Sequence, residues 1–519
     1  MLKSLRNLEG NGLERKLVLI SVIVILVTNL LGMAIKIEKV KASGNIYIRS
    51  DGSIDPSTAN ITSVDNITYI FTGNNYDEIV VERNNIVVDG AGYTLQGTGS
   101  GSGIALSGRS NITLRNIEIN AFSIGIYLYS SSSYNTVSGN NITDNGNGVI
   151  LSSSSNNTVS CNNIIANNFT GIYLYASSNN TVSCNNITDS DTGVYLYSSS
   201  NNTVSGNNIT DNDWYGFYLH YSCNNNTVSG NSFVDDGLFV IDSFGNMVVD
   251  NLVNGRPLVY LEDVSDLVVE DAGQVILVNC NRIRVGYLNL SNTSVGVQLW
   301  NTNSTTITGN NITGNVEGVF LHSSSNNTVS CNNIIDNGIG SRFYSSSNNN
   351  AIYHNNFINN QQVLLSGSAN NKWDNGCEGN FWSDFVGTDS NGDGIGDTPY
   401  IIDGSNQDNY PLMNLYWNPA DINHDLKVDI FDVVTACVAY SSTPSDLNWN
   451  SHSDIAEPYG VIDISDIVMI CASYGEEYLL IEDYRDTARC EDFVTQVKNA
   501  GFKLAKTVEQ ECARAWKSE

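Results

Sequence analysis

The sequence predicts an all-β chain wound as a right-handed parallel β-helix, followed by a small α-helical module. Three observations carry this. The phrase GVYLYSSSNNTVSGNNITDN at 193–212 returns in nearly the same words at 171–190 and 318–337. Its aligned apolar residue (Leu114, Val137, Val159, Val182, Val204, Val228, then Ile307, Val329, Ile352) recurs mostly every 22 or 23 residues, a period that marks a solenoid. Within each period, apolar and polar residues alternate in short runs divided by Ser, Asn and Gly. That is the pattern of strands and not of helical repeats.

Taken in chain order, residues 1–43 read as an export segment. Lys3, Arg6, Arg15 and Lys16 precede the apolar run 17–35, and small residues follow near Ala42. A cleaved signal peptide is the preferred reading and a retained membrane anchor the alternative. Either one puts the remainder outside the cytoplasm, secreted or at the cell surface. Asn-x-Ser/Thr sequons at Asn60, Asn111, Asn141, Asn179, Asn208 and Asn326 agree with that location, although NNT and NIT are also plain repeat vocabulary. Residues 44–95 hold strand-like runs that cap the solenoid, because a bare coil edge would pair with other chains.

Residues 96–370 are the β-helix. In Gly193-Val194-Tyr195-Leu196-Tyr197, Val194 and Leu196 point inward and the tyrosines outward, since Cβ atoms alternate along a strand. Val204 and Ile209 are the inward residues of NTVSGNNI. Asn tolerates unusual corner angles and builds amide ladders between coils. Residues 233–300 break the wording but stay strand-like, which suggests irregular coils with an inserted hairpin. Cys161 and Cys184 fall at one repeat position in adjacent coils, where Gly139 and Gly206 also occur. They suit either a disulfide or two stacked, buried thiols.

The balance of charge limits the partners. Lys and Arg total 24 against 54 Asp and Glu, a net charge of -30. A nucleic-acid partner is excluded on this ground, because a phosphate backbone needs a basic footprint. The outward positions offer a different ligand surface. Tyr127, Tyr173, Tyr195, Tyr218 and Phe320 fall in one column, and Tyr129, Tyr175, Tyr197 and Trp300 in the next. Such columns suit stacking of sugar rings, with Asn and Ser binding their hydroxyls. They also suit plain sheet stabilisation by like-on-like stacking. For catalysis the best cluster is Asp211, Asp213, Asp235 and Asp236, with His220 nearby in DNDWYGFYLH. Paired carboxylates are what glycoside chemistry needs.

The phrases DNIT and NNTVSGNNI, with GNFWSDFVGTDSNGDGIGDTPYIIDGSNQDNYPLM at 379–413, resemble the archaeal and bacterial β-helix proteins grouped with NosD and with sugar-binding or sugar-hydrolysing β-helices. The resemblance covers about 44–415. It implies the fold and lends two functional labels, copper and carbohydrate. The dispersed histidines (220, 322, 354, 424, 452) supply no copper site in the sequence.

Residues 371–417 carry an Asp-rich loop. Asp389, Asn391, Asp393 and Asp397 stand at positions 1, 3, 5 and 9 of a calcium loop, with the Ile395 carbonyl at 7. Residues 418–478 repeat the idea twice. Asp421, Asn423, Asp425, Asp429 and Asp432 occupy 1, 3, 5, 9 and 12 of the first copy, and Asp463 and Asp466 the last two of the second. This duplicated loop and helix resembles a type I dockerin, which implies calcium and a cohesin-like partner. Leu426 replaces the usual Gly, and the second copy has one extra residue and fewer early acids. Cys437 and Cys471 are equivalent in the two copies and suit a bridge or two helix-packing thiols. The tail 479–519 gains Lys and Arg and reads as short helices without a role. The whole describes an exported β-helix that binds a polysaccharide or surface glycan and docks to a partner through calcium. A polysaccharide-degrading or epimerising enzyme and a structural spacer are the alternatives.

Overall fold

A computed structural model describes residues 44–416 continuously, then 421–422, 428, 430–450, 453, 455, 461–463, 466–467 and 470. The described chain forms two compact units. The first holds the residues up to Asn231 with Val240–Val248, and the second holds Ser232–Phe239 with the residues from Val249 onward. The solenoid is all-β and right-handed, as expected.

In the first unit each regular coil has three strands, such as Thr170–Tyr175, Thr181–Ser183 and Asn186–Thr188, each paired parallel and in register with the next coil. The predicted inward residues Val194, Leu196, Val204 and Ile209 are all fully buried. The cap is smaller than 44–95. Ile46–Ile48 pairs antiparallel with Ile54–Asp55, and Ile61–Thr62 with Thr68–Phe71, while Ile79–Val81 and Ile86–Asp89 already pair parallel with following coils.

The corners explain the repeat's vocabulary. In each NNT the first Asn takes a left-handed backbone (Asn156, Asn179 and Asn201 at φ 60°, 57° and 57°), a conformation Asn accepts more readily than most residues. The second Asn turns inward and is buried. The Asn that follows Cys or Gly at the next corner is buried in the same way, and Asn162, Asn185, Asn207 and Asn231 form that second column. Each Nδ2 donates to the next Oδ1 at 2.9–3.0 Å, and each Oδ1 also takes the backbone N–H of the preceding Asn. A buried amide without partners would destabilise the coil by about 1–3 kcal/mol, so the column is fully bonded or not formed. The glycine that opens GIYLY is fixed by space: a Cβ on Gly171 would lie 2.7 Å from the Gly193 carbonyl oxygen and from Ile187.

The second unit opens with the expected hairpin, Leu252–Val253 antiparallel to Arg256–Glu262. Regular coils follow through Val295–Trp300, Glu317–His322 and Ile339–Tyr344. Its last coils are closed by a stack of rings, Phe357 on Trp382 at 4.5 Å and Trp382 on Tyr400 at 4.3 Å. The segment 371–417 therefore does more than carry an acidic loop. Farther on, Ile430–Ala439 is a helix, and Ile422, Val428, Ala436 and Ile470 form a separate small core. Among the described residues no helix is long and apolar enough to cross a membrane. The apolar run 17–35 and the tail 479–519 lie outside the described residues.

Candidate functional site

The outward columns have the register that the repeat implied. Tyr127, Ile150, Tyr173, Tyr195 and Tyr218 are successive partners in the first unit, as are Ser152, Tyr175, Tyr197 and His220. Tyr173 stacks on Tyr195 at 4.8 Å and 10°, Tyr195 on Tyr218 at 5.0 Å and 8°, and Tyr175 on Tyr197 at 5.6 Å and 15°. Tyr127 and Tyr129, two residues apart on one strand, stack on each other at 4.5 Å. Rings stacked this way cover one another's faces and turn edges and hydroxyls to solvent. A sugar-stacking surface needs open faces, so most of the column is sheet-stabilising. The coil carrying Ile150 and Ser152 interrupts it. Tyr175 meets Tyr197 on one face and the ringless Ser152 on the other, and at 44% it is the most exposed ring of the two columns in this unit.

His220 ends the ladder. Its Nδ1 shares a hydrogen bond of 2.9 Å with the Tyr195 hydroxyl, and its ring lies 4.8 Å from Tyr218. Burial pushes the Tyr195 phenol well above its ordinary range, with the neighbouring tyrosines adding to the effect. Burial holds the His220 imidazole below its ordinary value, and Asp242 opposes this.

In the second unit the same columns are covered from Gln298 and Trp300 to Phe320 and His322, and Tyr344 is exposed beyond them. Gln298 pairs with Phe320 and then Arg342, and Trp300 with His322 and then Tyr344. Trp300 and Phe320 were expected on an open surface, but they are only 4% and 1% exposed. Phe239, far away in sequence, packs on Phe320 at 5.3 Å. Alternation along a strand sets direction but does not say whether another segment lies on top. The replacement of Tyr by Gln, Trp and Phe in VQLW and GVFLH was the available signal. Beneath this cover Glu317 is almost fully buried and takes a 2.7 Å bond from Arg342. Burial raises its carboxyl above the usual range, against the pull of Arg342.

The proposed carboxylate cluster is not assembled around His220. Asp211 is exposed in a left-handed corner that Asp144 and Asp189 occupy in other coils, which marks it as a repeat position. Asp213 is exposed in the bend before the strand Tyr215–His220, whose extended length of about 17 Å separates that bend from His220. Asp235 is exposed and Asp236 buried, both in the second unit.

Asp389 accepts the amides of Gly392, Asp393 and Gly394, and Asn391 donates to Asp393. Asp397 is engaged with Thr388 and Ser390. In the C-terminal copies the two last acids behave alike. Asp432 accepts the Ile422 amide and Asp466 the Ile455 amide, each at 2.7 Å. Asp421, Asp432 and Asp466 are buried, and Asp463 donates its amide to Asp466. Asn423, Asp425 and Asp429 lie outside the described residues. Cys161 and Cys184 are free and exposed, so neither the disulfide nor the buried-thiol reading holds. Both sit at positive φ, 54° and 57°, which is why Gly alternates with Cys there. Cys437 is exposed rather than packed in a core, and Cys471 lies outside the described residues.

The family described as "Periplasmic copper-binding protein (NosD)" matches residues 38–243 and 234–387. No curated protein matches the chain. Among solved structures, DFA-IIIase from Arthrobacter chlorophenolicus A6 in complex with GF2 is 15% identical, with a TM-score of 0.27, over 51% of this chain and 68% of that one. The Dettilon tailspike protein (gp208) is 12% identical, with a TM-score of 0.27, over 58% and 60%. Copper does not fit the described residues. His220 bonds Tyr195, His354 bonds Glu378, and His322 lies against Tyr344 and Trp300. Among the described residues no three His, Cys, Asp or Glu side chains are placed to hold a metal ion, and His424 and His452 lie outside them.

Proposed function

Since the chain belongs to the NosD family, which matches it over more than half its length, we propose that it is an exported β-helix protein that binds a polysaccharide or surface glycan. The observation that carries the reading is the open face of Tyr175 above Ser152, in a ladder whose other rings are stacked. A sugar ring laid on Tyr175 would meet hydroxyls and amides along the coil edge. The assignment narrows the contact to one step of the column and leaves the other tyrosines as support.

The C-terminal part is proposed as a calcium-dependent docking module for a cohesin-like domain. The equivalent amide bonds of Asp432 and Asp466 support a duplicated loop and helix. Asp421, Asn423, Asp425, Asp429 and Asp432 would hold the first ion, and Asp463 and Asp466 part of a second; Asp389, Asn391, Asp393 and Asp397 would hold another. All are hard oxygen donors of the kind calcium takes. Calcium there would bridge the acids of each loop and hold the helix for a partner.

The test is retention of the full chain on immobilised neutral and acidic polysaccharides, with and without calcium. Tyr175→Ser together with Tyr197→Ser should abolish retention on the neutral polysaccharides without unfolding the chain. Equal retention of wild type and variant would sink the reading, and release of soluble fragments would mark an enzyme instead.

A further inference from the structure

In the second unit a cleft of about 630 Å³ opens beside the last coils, lined by Tyr353, Lys372, Asp374, Asn375, Ser405 and Asn409 among others. Lys372 is the only lysine between residues 44 and 416. In a chain of net charge -30, Arg49, Arg115, Arg256, Arg282 and Arg342 find carboxylates, while Arg83 and Arg284 bond tyrosine hydroxyls. Lys372 is exposed, and its ammonium makes no ion pair among the described residues.

Asp374, the nearest acid in sequence, is taken up elsewhere. One oxygen accepts the Gly376 amide, and the other accepts the backbone and side-chain N–H groups of Asn409 at 3.2 and 2.8 Å. Asn375 reaches His354 at 3.3 Å, and His354 is held by Glu378 at 2.8 Å. The wall is therefore built before a ligand arrives. Tyr353 supplies a partly exposed ring, and the fully buried Trp373 is part of the lining. The cleft thus combines the Lys372 ammonium, the Asp374 carboxylate held by N–H groups of Gly376 and Asn409, one aromatic ring and several amide and hydroxyl groups.

We propose that this cleft binds an acidic saccharide, with a uronate carboxylate on Lys372, the sugar ring against Tyr353, and hydroxyls on Asn375, Ser405 and Asn409. A charge-assisted hydrogen bond to the carboxylate sets the preference for acidic over neutral sugars. The site shares no residue with the Tyr175 face and does not rest on it.

The experiment is calorimetric titration of the full chain with sodium trigalacturonate and with maltotriose, for wild type, Lys372→Gln, Tyr353→Ala and Tyr175→Ser. Trigalacturonate should bind wild type and Tyr175→Ser alike. Its affinity should fall about tenfold or more in Lys372→Gln, as loss of a charged hydrogen-bond partner implies, and it should weaken in Tyr353→Ala and at high salt. Maltotriose should bind weakly and should be indifferent to Lys372. Equal binding of the two sugars, an unchanged Lys372→Gln, loss of binding in Tyr175→Ser, or no binding of trigalacturonate to wild type would each overturn the proposal. Loss of polysaccharide retention by the Tyr175 and Tyr197 variant, with trigalacturonate binding intact, would separate the two sites.

Discussion

The two units write the same strand with different outward residues. In the first, Tyr173, Tyr195 and Tyr218 stand half-buried in a stack whose edges meet water. In the second, Gln298 and Phe320 hold the matching positions and are buried, as is Trp300 in the neighbouring column, with Glu317 paired to Arg342. The inward residues are alike in both. The outer face is therefore free to specialise once the inner face and the corners have specified the coil.

The largest expected effect lies under the cover. Arg342→Ala leaves Glu317 buried without its counter-ion and should cost about 3–5 kcal/mol, read by urea unfolding with hydrogen exchange over 317–344. A loss below about 1 kcal/mol would mean that this face is not closed as described.

Next is a pH effect whose sign differs between the units. Burial pushes the Asp408 carboxyl up to about 6, although it accepts the Asn380 and Tyr410 amides and the Trp382 indole N–H. A raised folded pKa favours the protonated form. Its contribution is complete below the ordinary value of 3.8 and is lost as pH rises through about 6, on the order of 3 kcal/mol. His220 acts the other way. Its folded value is lowered, so its contribution is present above 6.5 and is lost as the pH falls below that. Exchange measured separately over 374–412 and 215–223 between pH 4 and 7 should show opposite slopes, and Asp408→Asn should flatten the first. Parallel slopes from these groups would break the contrast.

Two smaller effects sharpen the comparison. Tyr195→Phe removes the hydroxyl shared with His220 and should cost about 1 kcal/mol. Tyr175→Ser, at the exposed end of its stack, should cost only about 0.5 kcal/mol in thermal unfolding while removing glycan retention. If Tyr175→Ser were the more costly of the two, its ring would be structural and the binding reading would lose its support.

The coil was legible because every coil repeats its instructions: Val204 and Ile209 inward, the first Asn of NNT at the corner, the second in the ladder. The hairpin at 252–262 was legible for a related reason, since NLVNGRPLV keeps strand patterning around a Gly turn. What repetition could not show is what lies over a coil. Phe239 covers Phe320 across 81 residues of chain, and nothing in the words around either residue announces it. The Lys372 cleft was missed for the same reason. Its lining comes from 351–353, 371–376 and 405–409, stretches outside the repeat that no spacing rule connects. The Asp211, Asp213 and His220 grouping failed because nearness in sequence along an extended strand is distance in space.

The inward asparagine column has a consequence for how such chains change size. Its rungs are 22, 23, 22 and 24 residues apart in the run Asn140–Asn162–Asn185–Asn207–Asn231, and the longest interval holds consecutive left-handed residues, Tyr221 and Ser222. Extra residues are absorbed at a bend, where the backbone can take them, and never within a rung. A lineage built on this ladder would lengthen or shorten by whole coils, in increments of about 4.8 Å. The molecule's reach behaves as a ruler with fixed graduations.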